Sequence, residues 1–400
     1  MSTGDGLLVR VKPRGGVLSP TQAAALASSA VRHGNGTLDL TARANIQIRG
    51  VSDAALEFLL QALDAVRLLD LDPDAEAVRN IVASPLAGLG APFAIDVAAD
   101  LAALEAMLAR ETDLQRLPAK WSFVIDDGGA FSLRDVAADI RFEAQPDGTF
   151  AIVLGHDRMS SARCRPGEVA PVAAHLCRLA IAGDPVRMDG LVRAEGAAQL
   201  LEAAGLKVRG PLPSRDATTA EDLIGDRNHG ARPVFGLAPA FGILKADALL
   251  ALAELADRHG VRSVRLTPWR VVLLPGLPEG ADQIVRAVPA LRNWIVDPAD
   301  PRLAVAACSG RPACARGSTP VPADAELLAG STPRSGAVGG IRVHVSGCAK
   351  GCAHPHPAPL TLVGRDGLYD LVLDGKASDK PVAYGLPLQA ALRRIEAGPS

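Results

Sequence analysis

The chain has no excess of either charge: 42 basic residues oppose 44 acidic ones, for a net of −2. No global field is aimed at nucleic acid, and no nucleic-acid partner is expected. No uninterrupted apolar run reaches the length of a membrane span, so no membrane is expected either. The first residues, MSTGDGLLVRVKPRGG, lack the apolar core of a signal peptide. A cytoplasmic location follows as an expectation, and thiols there stay reduced. No G-x-G-x-x-G joins a strand to a helix and no P-loop is present, so the chain carries no recognisable nucleotide site. Aromatic residues make up only 3% of the 400 residues, a compositional trait to which no function is assigned.

Cysteine is also sparse, and four of the six lie near the C-terminus as Cys308-x5-Cys314 and Cys348-x3-Cys352. Thiolates gathered in a reducing compartment suggest a metal, and sulfur selects zinc, copper(I) or iron–sulfur clusters. Gly310, Gly347 and Gly351 beside them let backbone N–H groups approach cluster sulfurs. Structural zinc stays open as an alternative, although zinc ribbons favour tighter knuckles. The other two, Cys164 and Cys177, read as small buried hydrophobes.

The chain is longer than a single core supports, and it repeats itself. At an offset of 226 residues, Leu40-Thr41 falls on Leu266-Thr267, Gly16 on Gly242, Ala25-Leu26-Ala27 on Ala251-Leu252-Ala253, Arg32-His33-Gly34 on Arg258-His259-Gly260, and Gly50 on Gly276. Each copy has the same grammar. A strand near Leu7 to Val11 leads to a helix with Ser19 as N-cap, Pro20 at its first position and Gly34 at its stop. Two strands follow, and then a helix capped by Ser52 with Leu56, Leu59, Leu60 and Leu63 at helical spacing. Strand-helix-strand-strand-helix is a ferredoxin-like half. His33 and His259, at equivalent helix ends, read as structural. A second repeat relates DGTFAIVL (147–154) to DGLYDLVL (366–373), each the turn and strand of a hairpin. The expected plan is α+β, A-B-A′-B′: half A at 1–72, unit B at 73–209, a Pro/Gly-rich linker at 210–233, half A′ at 234–292 and cysteine-bearing unit B′ at 293–400.

This plan, together with LTxR, RNIxxSP, LPxKW, C-x5-C and GCxxGC, resembles the sulfite/nitrite reductase superfamily over nearly the whole chain. Within it, ACSGRPAC and VHVSGCAKGCAHP are most similar to the precorrin-3B synthase family. Lys350 stands where siroheme reductases usually carry Asn, and Ser122 where they usually carry a second Lys. The resemblance implies two ferredoxin-like halves packed about a pseudo-twofold axis, two larger α+β units, and a tetrapyrrole at their junction beside a [4Fe–4S] cluster. It further implies that precorrin-3A is the substrate, and that O2 hydroxylates C20 and a ring-A acetate closes a lactone. A siroheme-dependent nitrite or sulfite reductase is the alternative.

By the same resemblance Cys308, Cys314, Cys348 and Cys352 hold the cluster, with Cys352 in the place that bridges to haem iron in siroheme enzymes. Arg43, Arg79 and Lys120 fall where the superfamily contacts tetrapyrrole carboxylates, a task suited to cationic forks. Arg311 and Lys350 are further candidates, and Arg14, Asn45, Gln47 and Arg270 lower ones. Oxygen activation implies a mononuclear non-haem iron, for which His354, His356 and His344 are the histidines at hand. Electrons come from a separate donor, and any NADH dependence is indirect.

Overall fold

The computed structural model describes residues 1–396 apart from 71, 90–94, 183–185, 214, 230–231 and 332–339. The helix Pro20–His33 begins as its sequence dictates: Ser19 Oγ accepts from the Gln22 N–H while the Gln22 side chain accepts from the Ser19 N–H, a closed capping box. Ser52 caps the helix Asp53–Asp64 through the Ala55 N–H at 3.2 Å. Alternation does the rest. Leu38, Leu40, Ile46, Ile48 and Val11 turn one sheet face into a core shared with Leu26, Leu59 and Leu63 of these helices.

Two five-stranded sheets arise from the duplicated halves, and each borrows a strand from the other. Gly6–Val11, Ile46–Val51 and Thr37–Leu40 are completed by Ile243–Lys245 of the second copy. Arg232–Leu237, Val272–Pro275 and Val264–Leu266 are completed by Val17–Leu18 of the first. The helices Pro20–His33 and Ala246–Arg258 pack together in the common core. The offset of 226 extends to backbone conformation. Left-handed φ values recur at Gly15 (57°) and Phe241 (58°), at Gly16 (71°) and Gly242 (78°), and at Ala44 (54°) and Arg270 (60°).

The two larger units are also alike. Ile81–Ala83, Phe123–Asp126 and Ile140–Ala144 run parallel, followed by antiparallel Phe150–Leu154 and Asp157–Cys164. Val305–Ala307, Val343–Ser346, Ala358–Arg365, Leu368–Gly375 and Ala383–Leu386 repeat that order of directions. Both 147–154 and 366–373 form the turn and strand of a hairpin. The stretch 210–233, read as a linker from its Pro and Gly, contains a strand. Gly225–His229 pairs with Arg232–Leu237 as an edge of the second sheet, where polar residues can face water. No helix among the described residues is long and apolar enough to cross a membrane.

Gly16 packs closely against the second copy. A Cβ there would lie 2.9 Å from Leu266 O and 3.2 Å from Ala44 Cβ, on a backbone that L-residues rarely adopt. Gly16→Ala should destabilise the fold by about 1–3 kcal/mol. Thermal unfolding checks this against Ser19→Ala, which should cost about 1 kcal/mol through the lost cap.

Candidate functional site

The first sheet has a second, polar face. Side chains alternate along a strand, so with Val11, Ile46 and Ile48 inward, the residues between them point the other way. Arg10, Lys12, Asn45, Gln47 and Arg49 occupy that face, joined by Asp39 across from Gln47. The Gln47 side-chain oxygen accepts from Arg10 Nε and Nη2 at 3.2 Å. Lys12 is buried, and its Nζ donates to the carbonyls of Glu76 and Ala77. Burial, opposed by the charge of Glu76 and reinforced by those of Arg79, Arg10 and Arg43, pushes its pKa down to about 8.

Arg43 reaches the same region from the Thr41–Asn45 turn. Thr41 Oγ1 accepts from the N–H groups of Arg43 and Asn45, and Ala44 supplies the left-handed residue. Arg43 Nη2 donates to Lys120 O at 3.2 Å, which sets Lys120, itself exposed, at the same edge. Burial and the neighbouring charges of Arg10 and Arg187 lower the Arg43 pKa, and Asp139 opposes them. Arg10, Lys12, Arg43 and Arg187 therefore converge from separate segments at a cost in mutual repulsion, which suits a polyanionic ligand.

Arg79 is placed differently from Arg43. It is 7% exposed, donates to Asp70 at 2.6 Å and to Lys12 O at 3.0 Å, and lies 3.6 Å from Glu105. Arg14 closes the same network on Asp70 and Glu105. Both guanidinium groups are thus matched by protein carboxylates, and Arg79 orients Lys12 through its carbonyl. A cavity of about 180 Å³ touches Lys12, Arg14, Asp70 and Arg79, too small for a macrocycle.

The cysteine pairs meet because their strands are neighbours. Cys308 follows Val305–Ala307 and Cys348 follows Val343–Ser346, which pair in parallel, so both loops leave from the same sheet edge. The Gly347 N–H points at Cys308 Sγ at 3.3 Å. Gly310, Gly317 and Gly347 stack backbone on backbone: a Cβ on Gly317 would lie 2.9 Å from Gly310 C, and one on Gly347 3.1 Å from Gly317 Cα. Burial raises the Cys308 pKa, opposed by the N–H groups of Gly347 and Gly310 and reinforced by the charges of Cys314 and Cys352. For Cys352 burial again leads, opposed by the exposed Lys350 and reinforced by Cys348 and Cys314. The four thiols thus share one electrostatic neighbourhood. Among the described residues no group of three or more His, Cys, Asp or Glu is arranged to hold a metal ion. Four thiolate donors beside a glycine cradle with N–H groups near sulfur are a donor set that suits an iron–sulfur cluster. In unit B the same corner carries no thiol: Ser84 Oγ closes it by accepting from the Asp127 N–H at 2.8 Å.

Two arginines bind this loop region to the rest. Arg49 is buried, paired with Asp39 at 2.8 Å and Asp5 at 3.1 Å, and it donates to Ala313 O and to Ser309 Oγ inside the first cysteine loop. Arg270 Nη2 lies 3.4 Å from Ala353 O, with burial lowering its pKa and the charges of Asp39 and Cys308 opposing that shift. Arg311 is exposed on the loop. The histidines do gather: ring centroids are 5.8 Å apart for His344 and His354 and 5.7 Å for His354 and His356. Neither ring nitrogen of the fully buried His344 has a hydrogen-bond partner among the described residues. Its pKa falls to about 4 through burial and the charges of His354 and Arg270. They are not arranged as a metal triad among those residues. Cys164 and Cys177 are buried, and desolvation raises the first to about 12 and the second higher still. Arg10, Lys12, Arg49 and Arg187 were not singled out from the sequence. The alternation in VRVK and NIQIR carried the signal for the first three, and nothing local marks Arg187.

Comparison with known proteins bears on this arrangement directly. A model of the nitrite/sulfite reductase ferredoxin-like half domain matches residues 1–66 and 229–287. A precorrin-3B synthase of Sinorhizobium sp. is 33% identical over 404 residues, spanning 96% of this chain and 83% of that protein. The chain belongs to the precorrin-3B synthase family, within the sulfite/nitrite reductase superfamily. It is an oxidoreductase by that membership. A ferredoxin–nitrite reductase of Synechococcus elongatus is 27% identical, spanning 92% of this chain and 80% of that one. The Mycobacterium tuberculosis NirA protein superposes with a TM-score of 0.75 at 21% identity, over 92% of this chain and 74% of that chain, which shows a shared fold.

Arg49→Met should cost about 3–5 kcal/mol, since it leaves Asp39 and Asp5 without a counter-charge in a buried setting. Denaturant unfolding measures that loss, and alkylation of Cys314 in apoprotein should quicken as the loop loses its tie to Arg49.

Proposed function

We propose that this protein is a precorrin-3B synthase: a monooxygenase that hydroxylates precorrin-3A at C20 with O2 and closes a lactone from the ring-A acetate. The observation that carries the reading is the convergence of Arg10, Lys12 and Arg43 on the polar face of the sheet whose other end, through Arg49, grips the cysteine loop. A tetrapyrrole bearing many carboxylates would add negative charge to this largely cationic face, and the fork of Arg43 can grip one bidentately. Lys120 stands at the rim of the same surface. Arg79 holds Lys12 in place, and Thr41 sets the Arg43 turn. Cys308, Cys314, Cys348 and Cys352 would hold a [4Fe–4S] cluster, which when bound supplies single electrons from a separate donor. Arg311 and Lys350 add positive charge at its exposed side. The relative's name supports the substrate.

The siroheme-reductase reading differs in its resident chromophore. Protein purified without air should contain iron and sulfide, show the EPR signal of a reduced cluster, and lack a siroheme spectrum. Aerobic incubation with precorrin-3A and a reductant should consume the substrate. Stoichiometric siroheme, or unchanged precorrin-3A, would overturn the proposal. Arg43→Ala should weaken precorrin-3A binding and leave cluster iron intact.

Lys12 gives a pH test with opposite signs. Its folded pKa of about 8 lies below its ordinary 10.5. Between those values the unfolded chain binds more protons, so stability increases as pH rises. Anion affinity should fall in the same window, because the ammonium is discharged. Lys12→Met should flatten both profiles, read by unfolding and by anaerobic binding titrations.

A further inference from the structure

Arg187 lies outside every motif, just ahead of the helix Met188–Glu195. Its Nε donates to Asp139 Oδ1 at 2.6 Å. Asp139 is 1% exposed at its side chain and is itself fixed: Oδ1 also accepts from the Met188 N–H, and Oδ2 accepts from the Ser122 N–H at 2.9 Å. An Arg serving only as the counter-ion of this carboxylate would be expected to turn its terminal nitrogens onto it as well as Nε. Instead the Arg187 side chain is 39% exposed, and its two terminal nitrogens have no partner among the described residues. They stand within electrostatic reach of Arg43, whose own Nη2 is tied to Lys120 O, two residues before Ser122. Arg43 on Lys120 O, Ser122 on Asp139 and Asp139 on Arg187 thus link the two guanidinium groups through one short stretch of chain, 120–122. Asp139 already offsets part of the repulsion between them, and the terminal nitrogens of Arg187 remain for a further anion. Ser122, lacking a charge of its own, contributes a backbone N–H that fixes Asp139 and so aims Arg187.

We propose that Arg187, oriented by Asp139, is an anchor for a carboxylate of the macrocycle alongside Arg43, and so a determinant of which tetrapyrrole this site accepts. The inference rests on the precorrin reading above. Planar, paired donors suit a carboxylate, and with Nε committed to Asp139 the terminal nitrogens are what a substrate acetate or propionate would meet.

The test is anaerobic absorbance titration of the cluster-loaded protein with precorrin-3A. Arg187→Gln should weaken binding about 10-fold, the loss expected for a charge-assisted hydrogen-bonded contact. KM should rise with little change in kcat, and iron content should match the parent protein, while the lost counter-ion of buried Asp139 lowers the unfolding temperature. Arg187→Lys should recover part of the affinity. Arg193→Gln, an exposed change on the same helix, should leave binding unaltered. If Arg43→Ala weakens binding while Arg187→Gln binds as the parent does, the anchor role is overturned and the precorrin reading stands. If the unsubstituted protein binds no precorrin-3A, the underlying reading fails instead. Because Arg187→Gln also perturbs Asp139, Arg187→Lys decides: at normal stability, an affinity below the parent's but above that of Arg187→Gln supports the anchor, and full parental affinity overturns it.

Discussion

Everything in this molecule depends on the exchange of two short strands. Val17–Leu18 completes the sheet of the second copy and Ile243–Lys245 that of the first, so neither half closes its hydrogen-bond ladder alone. Unpaired edges are costly to leave open, and the exchange resolves both at once. It also fixes the geometry of the pseudo-twofold axis. The segments leading into each borrowed strand use the same left-handed pair, Gly15-Gly16 and Phe241-Gly242, to turn the chain across to its partner sheet. Once the halves are locked, units B and B′ are held on the face opposite the shared helices. The polar face of the first sheet then has no choice but to look into the junction.

Duplication made two such faces, and the two are built differently. The partners of Arg10, Lys12 and Gln47 in the second copy are Gly236, Ala238 and Leu273, and that of Arg43 is Trp269. There the face is filled: Ala238, Val271 and Leu273 pack with Leu86, Phe131, Leu223 and Ile295 in a separate apolar cluster. Burying that surface stabilises the assembly at about 25 cal/mol per Å2 and excludes a charged ligand. The first copy instead keeps charge on its face and bears the repulsion among Arg10, Lys12 and Arg43. The same division recurs between B and B′, where a Ser84–Asp127 turn in one stands at the corner that carries thiols in the other.

Arg49 joins these two asymmetries. Its guanidinium sits between Asp39 and Asp5 on the cation-bearing sheet and reaches Ser309 and Ala313 in the cysteine loop. A movement of that loop would therefore be felt on the sheet face through one buried side chain. The buried His344 lies against Gly351 of the second cysteine loop, and neither of its ring nitrogens has a hydrogen-bond partner among the described residues.

Local patterns were enough for the repeat, the capped helices, the hairpins and the grouping of four cysteines. Each of those depends on neighbours in sequence: a Ser side chain reaching the N–H three residues on, alternation setting a strand's faces, glycines admitting a left-handed turn. The motif resemblance reached Arg43 and Lys120, which meet across 77 residues. It could not tell that Arg79 is matched by Asp70 and Glu105 while Arg43 is not, because charge matching is a property of space. Strand exchange, the filled second face, the strand inside 210–233 and the pairing of Arg187 with Asp139 were likewise decided by tertiary structure. They rest on long-range pairing and on the summed field of many charges, neither of which leaves a periodic trace in the chain.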